Sequence, residues 1–280
     1  MDSELQNRLI DMVDKMPPFP KSVHRVIELT NDINCAPKDL VQVIEHDPVI
    51  TMKLLKLVNS AYYALSKSVS SVRHAVVYLG LNTVKNLALS IATVASLPRS
   101  SCAGFNINQF LLHSMTTASI SQRLAKEYLG RTDATDLFVA GLLHDFGKVV
   151  FVQFMPEEFS RALSMAREEN INLHEAEIKI IGADHTEIGA MLAEKWQLPS
   201  DLVTCIQNHH SPNVSDEVDD CVFAADQISK KLKFGFGGNP IIEVFPDHVV
   251  ERFGMDLDAL IESLGDMSSE VEKAESFILM

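Results

Sequence analysis

The octapeptide Gly141-Leu142-Leu143-His144-Asp145-Phe146-Gly147-Lys148 sets an imidazole beside a carboxylate inside an apolar run. Neighbouring residues on a helix stand ~100° apart around its axis, so both side chains can reach one ion at the helix surface. Neither group belongs unpaired in a dry core. Lys148, three residues after Asp145, returns to nearly the same face, where its ammonium would hold a phosphate oxygen. The competing explanation is a buried His–Asp–Lys cluster with no ion in it.

Four further signals lie in the same half of the chain. His113 interrupts the apolar face Phe110-Leu111-Leu112-His113-Ser114-Met115, where a satisfied core histidine would also fit. His185 stands in Asp184-His185-Thr186-Glu187-Ile188-Gly189 at an expected helix start, and Gly189 would leave space beside its ring. His209 and His210 close a helix before Ser211-Pro212 and could face two different ions, although cationic side chains also favour helix C-termini. Asp226 is a carboxylate within Phe223-Ala224-Ala225-Asp226-Gln227-Ile228, which stays ionised in such surroundings only beside a cation.

Taken together these are His113, His144, Asp145, His185, His209, His210 and Asp226: five imidazoles, two carboxylates and no thiolate. Such a shell suits one or two divalent ions, iron or manganese ahead of magnesium, nickel or zinc, and not a closed structural zinc site. A pair of ions would acidify a water for attack on phosphorus. Asp145 and Lys148 are the expected catalytic residues, Lys148 offsetting charge on the phosphoryl oxygens. Redox chemistry at a di-iron centre is a weaker alternative for the same cage.

The elements that must position these groups read as helices throughout, because apolar residues recur at three and four positions and strand alternation is scarce. The expected fold is all-α, a two-lobed helical bundle. Leu5, Leu9, Met12, Val13 and Met16 form a first stripe that ends at Pro17-Pro18-Phe19-Pro20. A second helix runs to about Asn31 and a third from Pro37 to near His46; Asp47-Pro48 begins a fourth. Ser70 or Ser71 caps a fifth, which Gly80 closes at positive φ, and Asn82 opens a sixth. Beyond the polar stretch Arg99–Gly104, helices are expected from Ile107 to Leu129, without a break from Thr135 to Phe154, and over 157–169, 173–181, 186–196, 200–210 and 217–233. Gly235, Gly237, Gly238 and Pro240 mark an exit loop. The remaining acidic segment reads as a solvated amphipathic helix, whose Phe277, Ile278 and Leu279 could dock on a partner.

Composition narrows the function classes. The 280 residues carry 24 Lys and Arg against 38 Asp and Glu, a formal charge of -14, which repels a phosphate backbone and argues against nucleic acid as the main partner. Cys35, Cys102, Cys205 and Cys221 form no CxxC pair and read as reduced thiols. No run of ~18 uncharged apolar residues and no basic–apolar leader is evident, so a cytoplasmic protein without a membrane span is expected.

The order of these motifs resembles the HD metal-dependent phosphohydrolase superfamily: His113, then His144-Asp145 with Gly147 and Lys148, then Asp226. His185 and the His209-His210 pair extend the likeness to the ligand set of its HD-GYP branch, the cyclic-di-GMP phosphodiesterases. No Gly-Tyr-Pro follows His210, however, since Ser211-Pro212-Asn213 stands there. In the first half, Met16-Pro17-Pro18-Phe19-Pro20, Asp47-Pro48, Leu57-Val58-Asn59-Ser60-Ala61-Tyr62-Tyr63 and Ala75-Val76-Val77-Tyr78-Leu79-Gly80 resemble the HDOD family. The likeness covers roughly residues 10–235. It implies a bacterial signalling protein with an HD-like core in the second lobe. Many such proteins lack metal ligands, whereas this chain keeps a full set.

The implied division is residues 1–100 as an N-terminal lobe, 105–235 as the metal-site lobe and 236–280 as a helical extension. Signalling proteins, a phosphate ester or nucleotide, and a second copy of the chain are the implied partners. Asn59 and Ser60 read as satisfying backbone groups at a helix end, with Tyr62 and Tyr63 packing. A non-catalytic scaffold acting through protein contacts is the alternative function.

Overall fold

A computed structural model describes residues 3–18, 21–30, 36–60, 63, 68–95, 97, 104–132, 134–210 and 216–278. Every regular element among them is a helix. The first half holds α1 (Ser3–Lys15), α2 (Lys21–Thr30), α3 (Pro37–Glu45), α4 (Pro48–Val58), α5 (Val72–Leu79) and α6 (Leu81–Ala95). Then follow α7 (Ile107–Tyr128), α8 (Thr135–Leu143), α9 (Gly147–Phe154), α10 (Pro156–Glu169), α11 (Leu173–Ile180), α12 (His185–Lys195), α13 (Ser200–Asn208) and α14 (Glu217–Lys231). Three short helices finish the chain: α15 (Asp247–Phe253), α16 (Leu257–Leu264) and α17 (Ser268–Ile278).

Caps explain most of the starts. Asp47 accepts from Val49 N and Ile50 N, and a hydrogen bond from Ser22 Oγ at 2.7 Å ties this corner to α2. Ser71, not Ser70, caps α5, and Gly80 takes φ +83° at its end. The sixth helix begins at Leu81, one residue before the expected Asn82. Three helices that carry site residues are set the same way: Asn106 caps α7, Asp184 caps α12 and Asp216 caps α14.

Helices α2 to α6 pack on one another, and α6 rests on α8. The first helix packs instead on α9 and α12. There Lys195 Nζ donates to the carbonyls of Val13, Asp14 and Met16 at the C-terminal end of α1, and Trp196 Nε1 donates to Pro17 O. One continuous apolar core therefore runs from Leu9 through Leu54 and Phe151 to Ile206. A second apolar cluster joins Ile120, Leu124, Leu137 and Phe223 to Phe245, Val249, Phe253, Leu260 and Leu264.

Several expectations need correction. The helix read as unbroken from Thr135 to Phe154 is two, with a turn at His144-Asp145-Phe146. The most apolar window of that stretch has a mean hydropathy of 1.5 and is 89% buried in the protein, so its hydropathy serves the core. The acidic C-terminal segment is no free solvated helix: α15 and α16 pack on α14, and α17 packs on α7. Gly189 does not leave room beside the His185 ring. A Cβ there would meet Ile206 Cγ2 at 3.0 Å and Gly147 N at 3.3 Å, so it serves the close crossing of α9 and α12. Asn59 does clip a helix end, donating to Leu55 O and Val69 O and accepting from Val69 N, whereas Ser60 Oγ has no partner among the described residues.

Cys205 and Cys221 are buried free thiols, and Tyr63 packs against the core. Phe19, Pro20, Asn31, Cys35, Ala61, Tyr62, residues 99–103 of the expected boundary, Ser211-Pro212-Asn213 and Leu279 lie outside the described residues, as does the Phe277 side chain.

Candidate metal centre

The turn between α8 and α9 builds the centre. Phe146 N donates to Leu143 O, Lys148 N to Asp145 O and Val149 N to Phe146 O, so the chain tightens to three-residue bonding here. Gly147 lets α12 press against this turn, since a Cβ on it would lie 1.9 Å from His185 O on α12. The close approach brings the start of α12 against the His-Asp turn. It also buries His185, which is the first residue of its helix.

The seven expected ligands converge as two groups. His113, His144 and Asp226 form one; Asp145, His185, His209 and His210 form the other; within each, the ligand atoms lie within 4.8 Å of one another. Asp145 joins the two. Its Oδ1 lies 3.2 Å from His185 Nε2 and 3.5 Å from His209 Nε2, while Oδ2 lies 3.4 Å from His144 Nε2 and 3.7 Å from His113 Nε2. Asp226 Oδ1 closes the first group at 3.1 Å from His113 Nε2 and 3.9 Å from His144 Nε2. His209 and His210, expected to face different ions, both fall in the second group. Both carboxylates contact an ammonium: Lys148 Nζ is 2.5 Å from Asp145 Oδ2, and Lys230 Nζ is 2.6 Å from Asp226 Oδ2.

Outer contacts orient the rings. The Nδ1 of His144 is 2.7 Å from Gly141 O, that of His209 is 2.8 Å from Ile206 O, and that of His185 is 2.6 Å from Glu177 Oε2. In each case Nε2 is left facing the centre. His113 Nε2, His144 Nε2, His209 Nε2, Asp145 Oδ1 and Asp226 Oδ1 are all buried and make no well-aligned hydrogen bond among the described residues, only the imidazole–carboxylate contacts given above. Native interiors rarely leave polar atoms so. Five such atoms, all nitrogen or oxygen and all turned to one place, fit divalent cations.

Protonation agrees with that donor set. Burial pushes His113 and His210 down, and takes His209 to about 4, so these rings are neutral near pH 7. Burial opposes ionisation of Asp145, yet the Lys148 ammonium and then His144 hold its carboxyl well below the usual range. Lys230 does the same for Asp226 against its own burial. Burial would lower His185 too, but the Glu177 and Asp145 carboxylates together outweigh it and lift this imidazole to about 9. A cation at His185 would therefore displace a proton.

A glycine-rich loop covers the centre. Lys233 and Gly235 take positive φ after α14, and a Cβ on Gly237 would stand 2.8 Å from both Asp145 Oδ2 and His113 Cδ2. Asn239 pins the loop, accepting from Leu173 N and donating to Asn172 Oδ1. Against the cluster also lie His210, Lys230 in contact with Asp226, His174 stacked on His210, and Glu243 at 3.9 Å from His210. Sequence reasoning missed the last three, and Glu177 as well. Lys230 was findable, four residues after Asp226 on one helix; Glu177, His174 and Glu243 carry no local signal because other segments bring them in. Lys148, expected to hold phosphate, holds Asp145.

The model of the HDOD domain family matches residues 16–212. This chain belongs to the HDOD family. A solved HDOD domain protein of unknown function from Geobacter sulfurreducens is 28% identical, with a TM-score of 0.81 over 98% of this chain and 96% of that one. A protein from Shewanella amazonensis named "Putative phosphohydrolase" is 27% identical, with a TM-score of 0.72 over 96% and 97%. An uncharacterized protein of Treponema pallidum is 26% identical over 243 residues, 86% of this chain but 47% of its own length; the chain thus spans about half of that relative. In this HDOD protein the family match takes in six of the seven candidate ligand residues. Asp226, Lys230 and the covering loop lie beyond it.

Proposed function

We propose that this HDOD protein is a metal-dependent phosphohydrolase of a signalling system, acting on a phosphate ester or nucleotide. The observation that carries the reading is Asp145, whose two oxygens face two separate ligand groups. His113, His144 and Asp226 would hold one cation with Oδ2, and His185, His209 and His210 the other with Oδ1. The nitrogen and oxygen donor set favours iron or manganese. Divalent cations supply Lewis acidity toward a phosphoryl oxygen and lower the pKa of an attacking water.

The protein's own groups orient and exclude. Lys148 and Lys230 keep the carboxylates ionised, and Glu177 orients His185. Gly237 and the loop keep bulk water off the cluster, where electrostatic interactions are correspondingly stronger. The chain's charge of -14 favours a small ester over a polynucleotide.

Closure also supports the second reading, a non-catalytic signalling scaffold. His113, His144, Asp145 and Asp226 are all 2% exposed or less, and the loop lies directly on them. Metal analysis and turnover separate the two. Protein purified without chelator should hold close to two ions per chain, and Asp145→Asn should lose both. Manganese- or iron-loaded protein should then turn over at least one of a panel of cyclic nucleotides, nucleoside phosphates and simple esters, with Asp145→Asn silent. Metal without turnover would leave the scaffold standing; absence of metal would remove the centre altogether.

A further inference from the structure

An imidazole that offers Nε2 to a cation carries its proton on Nδ1, and the acceptor of that proton fixes the ring. His144, His209 and His185 each have such an acceptor, as described above. His210 does not. Its Nε2 lies 3.1 Å from His185 Nε2, on the cation side, while its Nδ1 is buried without a partner among the described residues. At 3.9 Å stands Glu243 Oε1, which is also buried and also unpartnered. Two complementary polar atoms thus face each other across a gap too long for a hydrogen bond.

The surroundings say which of the two moves. The His174 ring stacks on His210 with centroids 4.6 Å apart and planes at 25°, holding the imidazole plane. Glu243 sits on the irregular segment between α14 and α15. Its N–H donates to Gln227 Oε1, and Gln227 Nε2 donates to Asp226 Oδ2, so the segment is tied to the first ligand group. Its neighbours Ile242 and Val244 face outward, 46% and 90% exposed, and offer little resistance to a shift.

We propose that Glu243 is the positioning residue of His210, accepting its Nδ1–H when the second ligand group is loaded. This rests on the metal-centre reading above. Closing the gap takes about 1 Å of movement, and segment 240–246 moves with it. Cation occupancy is thereby passed to the exposed residues on either side of Glu243.

Manganese(II) titrated by calorimetry into chelator-stripped full-length protein tests this. Wild type should show two binding events. Glu243→Ala should weaken one of them by roughly 10–100-fold and spare the other. Glu243→Gln, which keeps an acceptor oxygen, should fall between, and Glu243→Ala should add nothing in a His210→Ala background. Hydrogen exchange of 240–246 should slow on adding manganese to wild type and not to Glu243→Ala. Unchanged affinities, equal weakening of both events, or a further loss in the His210→Ala background would each overturn the assignment. Wild type that binds two ions while ignoring Glu243 sinks this inference alone; wild type that binds none sinks the centre with it.

Discussion

At the scale of single residues, the centre concentrates charge that the fold would otherwise exclude, and each ionised group there has a counter-charge. Asp219 on α14 shows the opposite case. Burial raises its pKa to about 6, with Asp216 and Asp220 adding to the shift and hydrogen bonds to Cys205 and Asn208 opposing it. A carboxyl whose folded pKa exceeds its ordinary 3.8 binds more protons folded than unfolded between those values. Stability contributed by this group therefore falls as pH rises from about 4 to about 6, and stays lost above that. Asp219→Asn removes the penalty. Its melting temperature should exceed that of wild type by a few degrees at pH 7.5 and converge with it near pH 4, a shift on the order of 1–3 kcal/mol. An equal difference at both pH values would show that the charge is not responsible.

At the scale of elements, the crossing of α9 and α12 sets the geometry of the whole cluster. Gly147 touches the His185 carbonyl region so closely that a single methyl would collide with the α12 backbone at His185 and Gly189. Gly147→Ala should therefore push α12 away, cost about 3 kcal/mol, and weaken metal uptake even though no ligand is altered. Thermal unfolding and metal content measured on the same preparation check this. A variant with wild-type values in both would mean that the helices have slack at this crossing. The octapeptide was legible as a metal motif, but its local shape was not. An apolar run with helical spacing gives no warning of a three-residue turn that lies against another helix.

At the scale of the molecule, the C-terminal helices complete a core and do not hang from it. Phe245, Val249, Phe253, Leu260 and Leu264 cover apolar residues of α7, α8 and α14. Arg123 Nη2 donates to Leu264 O at 2.5 Å, and both Arg252 and His248 pair with the buried Asp220. Removing residues 247–280 should expose that face, giving strong binding of a hydrophobic dye, lower solubility and a lower melting temperature. A soluble, dye-silent truncation would contradict this account of the second cluster.

Residue type and spacing were enough for the helical class, the cap at Asp47, and the choice of seven residues that gather in one buried cluster, because those depend on local periodicity and on which side chains tolerate burial only beside a cation. The pairing of ligands into groups, the placing of Glu177, Lys230 and Glu243 behind them, and the cover formed at Gly237 depend on contacts between segments far apart along the chain. Local patterns do not encode such contacts: that His113 meets a buried carboxylate follows from Asp226, more than a hundred positions away, arriving 3.1 Å from its ring.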